Sequence, residues 1–216
     1  MSRIRLFQDH SKEVAGKLLD IGAIKLRPSE PFVWSSGWNS PIYCDNRLSL
    51  SYPKIRNYIK NLLSEAIKFH FPEAEVVSGV ATAGIAQGAL VADQLELPMN
   101  YVRAKPKGHG MGNMIEGLVQ PGKKVVVLED LISTGGSSLA ATKALIDAGF
   151  EVLGMVAIFT YGFKIAEENF EKENISLVVL SDYFALLDEA IKRNYIDSDK
   201  LEALQSWRDN PATWKG

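Results

Sequence analysis

The sequence predicts an α/β fold in which a parallel β-sheet is flanked by helices and a small hood is added at the N-terminal end. Two observations carry this. From Val76 onward, short runs rich in Val, Leu and Ile alternate with segments of helical period, and such alternation builds a parallel sheet whose faces the helices cover. Before that point Pro28, Pro31 and Pro41 interrupt short aromatic runs around Ile24, Phe32 and Ile42, a pattern of small strands and loops. At 216 residues, with no low-complexity linker and no solenoid repeat, the chain reads as one domain over 1–216, of which 1–50 supply much of the hood.

The elements follow in order. Asp9 is placed to cap a first helix reaching about Leu19, with Val14, Leu18 and Ile21 at helical spacing and Gly22 as its stop. Pro53 opens a second helix that turns Ile55, Ile59, Leu62, Leu63, Ala66 and Ile67 toward the core before Pro72. The alternating region then gives strand 76–80, helix 85–95, strand 99–102, strand 125–128, helix 138–148 and strand 152–159. A helix near 165–170, a strand 177–180 and helices 183–193 and 198–207 complete it. Between Arg103 and Val119 lie four glycines and little apolar period, longer than a compact α/β connection needs, which predicts a mobile lid.

A net charge of -2 argues against a protein that coats nucleic acid or an anionic membrane. The first residues are too charged for a secretory signal, and Val76 to Val91 is too short and polar to span a bilayer. The single Cys44 rules out an intramolecular disulfide and a multi-cysteine metal site, and fits a cytoplasmic location.

The most informative stretch is Val125 to Ser138, VVVLEDLISTGGSS. An apolar strand leads into Glu129 and Asp130 at its carboxyl end, where open α/β sheets bind ligands. Two acids there can hold vicinal hydroxyls. Gly135 and Gly136 let backbone N–H groups approach a phosphate, and Thr134, Ser137 and Ser138 add hydroxyls at a helix N-terminus. The small-residue turn Ala81 to Gly84 allows a second such approach. In the lid, Arg103, Lys105, Lys107 and His109 place cations on alternate positions, suited to a departing pyrophosphate. Gly117 to Lys123, GLVQPGK, only imitates a nucleotide P-loop, since no Ser or Thr follows and it precedes its strand. His10 and His70 read as structural.

The acid pair followed by the Ser/Thr/Gly turn resembles the signature with which phosphoribosyltransferases bind 5-phosphoribosyl-1-pyrophosphate (PRPP). FVWSSGWNSPIYCDNR (Phe32 to Arg47), VATAG, YVRAKPKGHG and IEG narrow the resemblance to the orotate phosphoribosyltransferases. It implies the type I phosphoribosyltransferase fold and transfer of the phosphoribosyl group to orotate. The products would be orotidine 5'-monophosphate and pyrophosphate, in de novo pyrimidine synthesis. It also implies Mg²⁺, held mainly through PRPP rather than by a protein metal site, and a homodimer in which the lid of one subunit reaches its partner's site.

Carried over by motif, PRPP would be bound by Arg103, Lys105, Lys107 and His109 together with the run Glu129, Asp130, Leu131, Ile132, Ser133, Thr134, Gly135, Gly136 and Ser137. Lys107, His109 and Asp130 would be the catalytic residues. Ser133 would lie beside orotate; apart from the motif, backbone N–H groups of the hood around Tyr43 and Cys44 are an expected partner for its carboxylate. The chain departs from the pattern at three points. Ala104 replaces a lysine after the lid arginine, with Lys105 next. Ser35 replaces a hood lysine. Thr160, Tyr161 and Gly162 occupy the place of an arginine near orotate, so how the carboxylate is held is left open. No activated nucleophile is visible, so displacement at ribose C1 through an oxocarbenium-like state is expected. The alternatives are transfer to another base, or a PRPP-sensing regulator without chemistry.

Overall fold

The computed structural model describes residues 3–7, 10–34, 37–105 and 114–214. The chain begins with β1 (Ile4–Leu6) and α1 (Ser11–Asp20). The hood follows with β2 (Ile24–Leu26), β3 (Phe32–Val33), β4 (Asn39–Ser40) and β5 (Ile42–Cys44), and a 3-10 turn (Asn46–Ser51) leads into α2 (Pro53–His70). Next come β6 (Val76–Val80), α3 (Ala83–Leu95), β7 (Met99–Val102), β8 (Ile115–Glu116), β9 (Lys124–Ile132) and α4 (Gly136–Asp147). The chain closes with β10 (Glu151–Thr160), α5 (Lys164–Lys172), β11 (Leu177–Asp182), α6 (Tyr183–Lys192) and α7 (Leu201–Asp209).

Seven strands form one sheet in the order β1-β11-β10-β9-β6-β7-β8. All neighbours run parallel except β7 and β8. The hood is two antiparallel pairs, β2 with β5 and β3 with β4. Central strands are covered on both faces, which explains their near-continuous apolar runs. Along β9, Val126 and Leu128 join a cluster with Leu18, Ile59 and Trp207, while Val125 and Val127 face Ala141, Leu145 and Phe170 of α4 and α5. Among the described residues no helix is long and apolar enough to cross a membrane.

The structure extends the sequence-based boundaries where the sheet's hydrogen bonds outrun apolar patterning. β9 continues to Ile132 because Glu129, Leu131 and Ile132 keep register with Ala157, Phe159 and Thr160 of β10, so both acids lie within the strand. The edge strands β1 and β8 were not foreseen. β1 is short, largely solvent-facing and flanked by Arg3, and β8 is two residues inside the expected lid. The C-terminal helix begins as a 3-10 turn at Ser198. α1 starts at Ser11, with His10 at its N-cap and no side-chain capping bond there; Asp9, the expected cap, lies outside the described residues.

Two close approaches position the site. A Cβ on Gly84 would stand 2.5 Å from the Leu128 carbonyl oxygen, and one on Gly79 would stand 2.7 Å from the Gly84 carbonyl oxygen. The start of α3 is thereby pressed onto the ends of β6 and β9, and the Ala81–Thr82 peptide just before it is cis.

Candidate active site

The acid pair sits at the carboxyl end of β9. Glu129 is 5% exposed; its Oε2 accepts from the Ser138 hydroxyl at 3.0 Å and its Oε1 from the Asp130 N–H at 3.0 Å. Ser138, expected as a phosphate hydroxyl, is therefore committed to the acid instead. Asp130 is half-buried, and its carbonyl accepts from Asn46 Nδ2 at 2.8 Å. Burial pushes the Glu129 carboxyl well above its ordinary range, and the neighbouring Asp130 charge adds to the shift. Burial also raises Asp130, with Arg47 opposing from nearby. Arg47 is held there by a two-pronged pair with Asp45, 2.7 and 2.9 Å.

Two acids so placed keep a proton where free carboxylates would lose it. Because the folded-state value is raised, the stability it contributes is complete below the ordinary glutamate range and is lost as pH rises through the shifted value. Glu129→Gln cannot ionise and retains that stability. In the ligand-free protein it should melt with the parent at about pH 4 and about 2–4 °C above it at about pH 8, the shift that ~1 kcal/mol gives a domain of this size. Paired thermal melts across that range check this; an equal gap at both ends would contradict a retained proton.

The turn after β9 is fixed from below. Ile132 is fully buried, and its carbonyl accepts from the Tyr161 N–H at 3.1 Å and the Thr160 hydroxyl at 3.2 Å, so within the expected PRPP run it faces the core. Asn169 Nδ2 donates to the Thr134 carbonyl at 2.9 Å. Gly135 caps α4 at φ 79°, and a Cβ there would lie 2.7 Å from the Phe170 ring; conformation and crowding both require glycine. Gly136 differs, since its nearest neighbour to a Cβ is Thr134 Oγ1 at 3.7 Å. The free space there faces the helix N-terminus, whose first N–H groups lack helical acceptors and suit a phosphate.

Two cavities flank this turn. A cleft of about 70 Å³ is lined by Ala81, Arg103, Met114 and Ser137, so the small-residue turn, the lid's base and the start of α4 meet. Arg103 is 3.3 Å from Glu116, and Lys105 is exposed. Lys107 and His109 lie outside the described residues. The second cavity, about 610 Å³, opens between hood and sheet and brings together Tyr43, Cys44, Leu131, Ser133 and Thr134.

Trp34, Trp38 and Tyr161 also line the larger cavity; sequence reasoning assigned neither tryptophan to the site and noted Tyr161 only as standing in the place of an arginine near orotate. Asn46 was missed as well. The aromatic density of the hood was the available signal for the tryptophans. For Asn46 it was a polar residue inside the CDNR motif, yet only the fold reveals that it is 1% exposed and bonded to β9.

Burial, with Asp130 and Asp45 adding, pushes the Cys44 thiol well up, and its Sγ points to Asn46 Oδ1 at 3.4 Å. It is a donor rather than a nucleophile. His10 lies 3.4 Å from the Tyr58 hydroxyl, and His70 packs among Phe7, Phe69 and Phe71; neither reaches the cavities. Lys123, the last residue of the false P-loop, pairs with Glu75 at 2.6 Å just ahead of β9.

Residues 47–185 match the phosphoribosyl transferase domain, and over 207 residues the chain is 58% identical to the orotate phosphoribosyltransferase of Cytophaga hutchinsonii, covering 96% of this chain and 99% of that one. The chain belongs to the orotate phosphoribosyltransferase family. Among solved structures, the orotate phosphoribosyltransferase of Aeropyrum pernix superposes with a TM-score of 0.74 at 30% identity, over 85% of this chain and 99% of that one. Leishmania donovani UMP synthase superposes with a TM-score of 0.78 at 25% identity. The alignment covers 94% of this chain but 43% of the Leishmania protein.

Proposed function

We infer that this protein transfers the 5-phosphoribosyl group of PRPP to orotate, giving orotidine 5'-monophosphate and pyrophosphate in de novo pyrimidine synthesis. The observation that carries it is the acid pair of β9 standing between a cavity wide enough for a pyrimidine and a helix start free to take a phosphate. In the reaction the bond from ribose C1 to the pyrophosphate oxygen breaks, its electrons leaving with pyrophosphate, and a ring nitrogen of orotate gives up its proton to solvent and supplies the electron pair for the new bond to C1.

Each residue has a role in that displacement. Glu129 and Asp130 accept hydrogen bonds from the ribose hydroxyls and place negative charge beside the sugar as it becomes cationic. Ser133 to Ser137 hold the 5'-phosphate and so fix C1 against the base. Arg103, Lys105, Lys107 and His109 neutralise the leaving pyrophosphate. The hood holds the base and excludes water.

Mg²⁺ would supply further neutralisation of the phosphate oxygens when bound. Oxygen donors such as Glu129 and Asp130 suit a hard cation. In this proposal PRPP itself supplies most of the ligands. We further propose a homodimer with shared active sites, working in the cytoplasm.

The deciding experiment follows the loss of orotate absorbance with PRPP and Mg²⁺, omitting each in turn, beside a panel of other bases. Turnover of orotate that needs both partners supports the reading. Turnover of a purine base, or PRPP binding without any turnover, would replace it with one of the alternatives.

A further inference from the structure

Orotate is an anion, yet the described residues around the larger cavity include no Lys, Arg or His. On the described part of the wall its carboxylate meets neutral donors. Two candidates are already engaged: the Trp34 indole donates to the Ile42 carbonyl at 3.1 Å, and the Cys44 thiol points at Asn46. Of the hydroxyls on the wall, those of Ser133 and Thr134 stand on the phosphate turn, and Tyr43 is 41% exposed. Tyr161 is different. It lines the cavity, is 2% exposed, and no described residue offers its hydroxyl a hydrogen-bond partner.

Its position is also fixed. The Tyr161 N–H donates to the Ile132 carbonyl, one residue before Ser133, and Thr160 and Gly162 on either side are tied by hydrogen bonds of 3.2 and 3.1 Å through the Thr160 hydroxyl. The ring is clamped by Trp34 at 5.2 Å, Phe163 at 5.4 Å and Trp207 at 5.6 Å between centroids. Trp207 is in turn anchored to the hood through the Asn39 carbonyl at 3.2 Å. A phenol held this way has little freedom left to lose on binding, and burial pushes its pKa up so that it remains a donor.

We propose that the Tyr161 hydroxyl is a specificity-determining donor that reads the carboxylate of the base. Selection of an anionic pyrimidine would then rest on a preorganised hydrogen bond in an aromatic pocket, not on an ion pair. This rests on the orotate reading above. A hydrogen bond to a charged acceptor is worth about 10- to 100-fold in affinity.

Tyr161→Phe keeps the ring and its packing and removes only the donor. The expected result is a KM for orotate raised about 10- to 100-fold, with kcat at saturating orotate, KM for PRPP and the melting temperature close to the parent's. An unchanged KM for orotate overturns the assignment. So does a parallel rise in both KM values or a marked fall in melting temperature, either of which marks a packing role. If the parent itself fails to consume orotate, the functional reading falls; an active parent with an indifferent variant removes Tyr161 alone.

Discussion

Asp130→Asn should lower kcat/KM by about 100-fold, equivalent to ~2.7 kcal/mol of transition-state stabilisation. The substitution preserves shape, so the Asn46 bond to the residue-130 carbonyl at 2.8 Å is retained. It exchanges a charged acceptor for an amide in a place where hydroxyl donors arrive and positive charge develops on the sugar. Stability should not fall in parallel. Burial disfavours the Asp130 charge, and removing it relieves the buried pair. Loss of activity with an equal or higher melting temperature is the signature of an acid kept for chemistry at the expense of the fold. Activity within about threefold of the parent would show that the sugar does not depend on this carboxylate.

Lys107→Ala should act on kcat rather than on PRPP binding, with a fall of about 100-fold or more and a KM for PRPP within a few fold. The reason is where charge appears. Pyrophosphate gains negative charge as the bond to C1 breaks, so a cation directed at it contributes more to the transition state than to the bound substrate. A weaker KM with unchanged kcat would contradict this. If the lid serves the partner's site, mixing inactive Lys107→Ala and Asp130→Asn proteins should restore part of the activity, because a mixed dimer contains one site with both parts intact. No recovery despite demonstrated subunit exchange would place the lid on its own subunit.

The central sheet was legible in the sequence because its strands are buried on both faces, and Val125 to Leu128 carry that burial as an unbroken apolar run. The acids and glycines of the turn were legible because their order follows strand to helix. What patterning could not reveal lies where long-range pairing sets structure. β9 reaches Ile132 through register with Thr160, and β8 exists by pairing Ile115 and Glu116 with Val102 and Tyr101. Ser138 changed meaning for the same reason, since only the fold turns it toward Glu129. Trp34 and Tyr161 meet across a sequence gap no local period bridges, with ring centroids 5.2 Å apart.

Asn46 joins the hood to β9 by a bond to the Asp130 main chain rather than to its side chain, and Ser49 links the Asn46 carbonyl onward to Gln87 of α3. The N-terminal segment is therefore not an interchangeable cassette. Grafting another relative's base-recognising region onto this sheet would succeed only if the graft brought its own amide to residue 46, because without it the new selectivity would come with a misaligned sugar.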